Sequence, residues 1–132
     1  MVFIDSNILI YTYSKTEPEK KAKVLSLFET ENISLSTQVI NEFIWIMNRK
    51  FDVDMDSLLI ISNNFFELFD VSLVSRATIH MAIGLSQKLK YSYWDSLILS
   101  SALEKRCNIL YTEDMQHGQI IENNLKIINP FV

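Results

Sequence analysis

Met1-Val2-Phe3-Ile4-Asp5-Ser6-Asn7-Ile8-Leu9-Ile10 opens the chain, and the step from Ile4 to Asp5 decides the reading of the fold. Val2–Ile4 is apolar throughout, the signature of a short strand covered on both faces of a parallel sheet. Asp5-Ser6-Asn7 breaks the run, and Asn7–Tyr13 then reads as a short helix. A strand that passes directly into a helix begins an α/β alternation. In an open parallel sheet, the carboxyl ends of the strands are where chemistry is placed. Asp5 stands at such an end.

Working outward, the alternation continues. Pro18 can begin a helix over Pro18–Thr30. Ile33–Leu35 reads as a strand, and Ser36 or Thr37 can cap a helix running to about Lys50. Val39-Ile40, Phe43-Ile44 and Ile46-Met47 recur in that helix at helical spacing. A helix follows over Asp54–Phe69, then a strand over Val71–Val74 and helices over Ser75–Leu89 and Asp95–Arg106. Strands at Ile109–Tyr111 and Leu125–Ile128 close the pattern, the last ended by Pro130. Two glycines and two prolines leave little room for long loops. The expected fold is one domain over residues 1–132, a three-layer α/β/α sandwich with a mostly parallel sheet of four to five short strands.

Composition narrows the class. With 132 residues and 48% apolar content, the chain can bury roughly 68% of its unfolded surface, enough for a core. No apolar run approaches the roughly 18 residues of a membrane helix. Asp5 interrupts too early for a secretory signal. Cys107 is the one cysteine, so no internal disulfide forms, and the reducing cytoplasm is the expected compartment. At a helix end beside Arg106, it reads as a buried structural residue rather than a reactive thiol. The net charge of −4 argues against a broadly basic nucleic-acid surface.

The acids are unusually placed. The strand Ile109-Leu110-Tyr111 runs into Thr112-Glu113-Asp114, a second strand end carrying carboxylates. Glu42 is the only charge between Glu31 and Arg49, and Asp95 lies among Tyr91, Tyr93, Trp94, Leu97 and Leu99. Burying a lone carboxylate costs several kcal/mol unless something pairs with it. Four that converge would raise one another's pKa, and a divalent cation would relieve them. Local readings exist for each. Asp5 can cap the Asn7 helix, and Ser92-x-x-Asp95 fits a capping pattern. Glu42 can share an exposed stripe with Gln38, Trp45 and Arg49, and Glu113-Asp114 can be a solvated turn. An all-carboxylate set suits Mg²⁺ or Mn²⁺ rather than zinc, and His80 and His117 have no zinc spacing.

The order of these acids resembles the PIN-domain family, and within it the VapC-type toxins of toxin–antitoxin pairs. The resemblance covers essentially the whole chain. It rests on Val2-Phe3-Ile4-Asp5-Ser6-Asn7, Asn41-Glu42-Phe43, Trp94-Asp95-Ser96-Leu97-Ile98, the segment Leu110 to Gly118, and Ile128-Asn129-Pro130-Phe131. It implies metal-dependent cleavage of RNA, tRNA or ribosomal RNA, with Mg²⁺ or Mn²⁺ as cofactor. It implies Asp5, Glu42, Asp95 and Asp114 as catalytic metal ligands. Ser6, Asn7 and Thr112 would hold those carboxylates or reach the substrate, and Glu113 is a candidate fifth acid. A cognate antitoxin and a homodimer are the implied partners, and a non-catalytic RNA- or protein-binding module of the same fold is the alternative.

The four ligands would carry the whole formal charge of −4, leaving the remaining surface balanced. Lys15, Lys20, Lys21, Lys23, Arg49, Lys50 and Arg76 are the available phosphate contacts. Most of Trp45, Phe51, Met55, Phe65, Phe66, Phe69 and Trp94 are expected in the core, the rest on a dimer face or partner groove. A phosphoacceptor receiver domain fits poorly, because Ile33–Leu35 ends in Ser36-Thr37 and Ile109–Tyr111 ends in Thr112-Glu113. An Asp-x-Asp phosphatase is disfavoured because Asn7 stands where the second acid would be.

Overall fold

The computed structural model describes residues Met1–Val132. Its elements run β1 (Val2–Ile4), α1 (Ser6–Leu9), a 3₁₀ turn (Ile10–Tyr13), α2 (Pro18–Thr30), β2 (Ile33–Ser36), α3 (Thr37–Phe51) and α4 (Met55–Leu68). They continue with β3 (Asp70–Ser72), α5 (Arg76–Leu89), α6 (Tyr93–Glu104), β4 (Ile109–Tyr111), β5 (Ile120–Ile121) and β6 (Leu125–Ile128). The strands form one sheet in the order β3-β2-β1-β4-β6-β5. All neighbours pair in parallel except β5, which runs antiparallel to β6. The α/β sandwich expected from the alternation is observed, with six strands rather than four to five.

Local chemistry sets the boundaries. Ser36 accepts from the Val39 N–H and starts α3, and Asp52 in the left-handed conformation (φ 55°) stops it. Asp54 caps α4 through the Ser57 N–H. Ser75 and Thr78 form a reciprocal capping box on α5. Ser92 accepts from the Asp95 N–H, so α6 begins at Tyr93, two residues before the expected start. The third strand lies at Asp70–Ser72, slightly ahead of the expected Val71–Val74.

The sheet centre is dry. Every residue of β1 and β2 is buried, which requires cover on both faces. Phe3, Ile4, Leu35, Phe43, Leu99 and Leu110 are completely enclosed. Phe43 of α3 meets Phe65 of α4 edge-on at 5.1 Å, joining two helices over the core. Phe43→Ala should cost about 3–5 kcal/mol, read as a lower urea midpoint with unchanged slope. Of the seven large residues expected mainly inside, only Phe65 is buried and Phe69 partly so. Trp45, Phe51, Met55, Phe66 and Trp94 are exposed, because each falls on the outward side of its helix.

The chain moves from β1 to β2 and β3 on one side, then to β4 and β6 on the other. The direction changes between β1 and β4, the place where open sheets form a crevice at their carboxyl ends. Ile4 pairs with Tyr111 at the ends of those strands. Asp5 and Thr112 therefore leave the sheet side by side.

Candidate active site

Asp5 is held from three directions. Its Oδ1 accepts the Ser6 N–H at 2.7 Å, capping α1. Its Oδ2 accepts from the Thr112 hydroxyl at 2.9 Å and from Asn7 Nδ2 at 3.2 Å. The backbone adds Asp5 N–H to Tyr111 O at 3.0 Å, one more rung between β1 and β4. Asp5 is thus both the helix cap and the innermost acid of a cluster, at 4% exposure. Burial pushes its pKa up to about 7, helped by the charges of Glu42 and Asp114 and opposed by the Thr112 hydroxyl and Ser6 N–H.

Asn7 links the two strand ends. Nδ2 lies 3.1 Å from Thr112 Oγ1 and 2.9 Å from Asp114 Oδ2, and Oδ1 accepts the Glu113 N–H at 3.2 Å. The Asp114 N–H returns to Thr112 Oγ1 at 3.2 Å. Glu42 enters from α3, where the Ser6 hydroxyl donates to its Oε1 at 3.0 Å. Its pKa is raised, first by burial and then by the charges of Asp95 and Asp114, while Ser6 and Gln38 pull the other way. Asp95 enters from the first turn of α6. Burial and the Asp114 charge raise its pKa against the Ser92 hydroxyl.

Four carboxylates from β1, α3, α6 and the loop after β4 thus influence one another, running from buried Asp5 through half-buried Glu42 and Asp95 to exposed Asp114. No Lys or Arg is paired with any of them; the ion pairs are Lys20–Glu113, Lys88–Glu122 and Lys105–Asp70. An uncompensated set of hard oxygen donors suits a hard divalent cation. No three acidic, His or Cys side chains form a ready cage around a single point. Mg²⁺ needs none, since it keeps several waters and takes one or two carboxylates directly.

Glu113 is drawn away from this group. Tyr11 donates to its Oε1 at 2.7 Å and Lys20 to its Oε2 at 3.0 Å. Lys20 also lies over the rings of Tyr11 and Phe131, 4.9 and 5.0 Å from their centroids. The side chain expected as a fifth acid instead anchors the Thr112–Asp114 loop to α2, while its N–H serves Asn7. Sequence reasoning missed Tyr11, and it saw Lys20 only as a phosphate contact. Cys107 is buried, and burial raises its thiol to about 11, which removes it as a nucleophile.

A comparison with curated proteins returns no match. Among solved structures, the chain is similar to a toxin–antitoxin complex from Klebsiella pneumoniae, with 18% identity, 98% of each chain covered and a TM-score of 0.73. It is also similar to VapC20 of Mycobacterium tuberculosis, described as a Sarcin-Ricin loop cleaving toxin, with 14% identity, 86% of this chain and 90% of that one covered, and a TM-score of 0.71. A third is VapBC2 of Rickettsia felis bound to a promoter DNA fragment, with 18% identity, 98% and 100% coverage and a TM-score of 0.68. At these identities the likeness is one of fold. The PIN domain family model matches residues 2–121, from the first strand to the fifth. The match takes in both strand-end acids and the two helices that bring Glu42 and Asp95 to them, and the chain belongs to the PIN domain family.

Proposed function

We propose that this chain is a metal-dependent endoribonuclease that hydrolyses phosphodiester bonds in tRNA or ribosomal RNA. The same reading makes it the toxin of a toxin–antitoxin pair, a cytoplasmic homodimer restrained by a cognate antitoxin. The supporting observation is the gathering of Asp5, Glu42, Asp95 and Asp114 at the switch between β1 and β4, tied through Ser6 and Asn7, with no Lys or Arg paired to any of them. The toxin reading draws support from the toxins and toxin–antitoxin complexes that share the fold.

In this reading the four acids would hold Mg²⁺ or Mn²⁺, which when bound would supply activation of water and stabilisation of charge on the phosphate. Asp5 is the fixed member, held by Ser6, Asn7 and Thr112. Ser6 sets the Glu42 carboxylate. Asn7 holds Asp5 and Asp114 in register with each other. Asp95 and Asp114 are the more exposed acids besides Glu42, and one of them orients the attacking water. Asn7→Ala should lower cleavage by about 10- to 100-fold and weaken metal affinity in step, the usual scale for a residue that orients ligands.

The test is cleavage of total tRNA and ribosomal RNA by the purified, antitoxin-free protein in Mg²⁺, Mn²⁺ or EDTA, beside Asp95→Asn. Discrete cuts that vanish with EDTA and in the variant are expected. Folded protein that binds RNA or protein but makes no cuts would point to the non-catalytic module.

A further inference from the structure

The chain has two tryptophans, and both are exposed, Trp45 at 60% and Trp94 at 63%. Each lies within one helical turn of one of the four acids. Trp94 immediately precedes Asp95 in the first turn of α6. Trp45 follows Glu42 by three residues on α3, and Arg49 follows Trp45 by four, which puts them on neighbouring surface of that helix. The two helices meet here. Gln38, one turn before Glu42, donates Nε2 to the Trp94 carbonyl at 3.1 Å. From Gln38 to Trp45 is seven residues, about 10 Å along the α3 axis.

Both indoles are supported rather than loose. Tyr93 meets Trp94 edge-on with centroids 5.3 Å apart. The Arg49 guanidinium lies over the Trp45 ring at 4.6 Å and takes part in no ion pair. Two separated flat rings, one carrying an uncompensated guanidinium, are the components of single-strand nucleic-acid binding, in which bases stack on aromatics and cations follow the backbone.

We infer that Trp45 and Trp94 are stacking platforms for unpaired RNA bases flanking the phosphate presented to the acids, with Arg49 contacting the backbone beside Trp45. This rests on the ribonuclease reading above and adds to it the side chains that hold the bases on either side of the cut. Bases in a duplex are already stacked and cannot be splayed onto a side chain, so the site selects loops and single strands. Stacking tolerates any base, so the platforms select unpaired RNA without fixing a sequence.

Because these are the only tryptophans, intrinsic fluorescence reports base stacking directly. Trp45→Phe and Trp94→Phe each leave one indole to observe. The probes are an unstructured ten-nucleotide RNA, the same strand in a duplex, and inorganic polyphosphate, all in EDTA so that nothing is cut. Saturable quenching of both indoles by the single strand alone is expected. In Mg²⁺, Trp94→Ala or Trp45→Ala should raise KM for a loop substrate by about 5- to 100-fold, more than it lowers kcat, and the Phe variants should recover most of the loss. Equal quenching by polyphosphate, or cleavage with neither quenching nor a change in KM, overturns the platforms and leaves the nuclease standing. Quenching by single strands without cleavage supports the platforms and removes the nuclease. If the Ala variants instead change only the sedimentation of the free protein, the rings belong to an interface between copies, and the proposal fails.

Discussion

Asp5→Asn is expected to reduce RNA cleavage by about 10³-fold or more, the scale of losing several kcal/mol of transition-state stabilisation, while the protein stays folded. The same variant tests the electrostatics without any substrate. An ordinary Asp titrates near 3.8, and Asp5 in the fold near 7, so the fold prefers its protonated form. Its contribution to stability is complete below about pH 4 and is lost as pH rises towards 7. Ionised above that, it costs at most about 4 kcal/mol, the free energy of moving a carboxyl's titration across that pH range. Asn cannot ionise. Urea denaturation in EDTA from pH 4 to pH 8 should therefore move the stability difference in favour of the variant by a few kcal/mol. The amide nitrogen of Asn would face two donors, Thr112 Oγ1 and Asn7 Nδ2, and this adds a penalty that does not vary with pH. The slope carries the prediction, and parallel curves would mean that Asp5 is ionised throughout.

Metal should reverse that cost. At pH 8 and a hundredfold excess over Kd, Mg²⁺ or Mn²⁺ should add about 2.7 kcal/mol of stability, or roughly 10 °C in melting temperature for a domain of this size. At pH 5 the gain should be much smaller, because Asp5, raised to about 7, holds a proton that a metal must displace, and the upward shifts of Glu42 and Asp95 act in the same direction. Asp114→Asn should also shrink the gain at pH 8. A melting temperature indifferent to either ion at pH 8 would exclude the carboxylates as a metal site.

The strand-to-acid junctions were legible in the sequence because strands covered on both faces leave unbroken apolar runs, and the charge after such a run marks the exit from the sheet. Glu42 and Asp95 stood out as charges isolated in apolar helices. β5 left no such trace. It has two residues, too few for a period, and it pairs back onto β6 through Glu122 and Asn123, both at positive φ. The role of Glu113 was hidden because its partner Lys20 lies 93 residues away. The exposure of Trp45 was open to reading through the stripe it shares with Glu42 and Arg49, whereas that of Trp94 was not, since an aromatic count does not say which side of a helix faces the sheet.

The Thr112–Asp5 hydrogen bond spans 107 residues, and β1 has β4 as its partner on that side. A ribosome adds about 5–20 residues each second, so for several seconds the growing chain displays Asp5 and Glu42 without Thr112 or Asp114. Whatever chemistry the four acids perform stays silent in the unfinished polypeptide. It requires the loop beyond β4 to have left the ribosome and docked beside β1, so assembly of the acid cluster waits on a segment made 107 residues after Asp5.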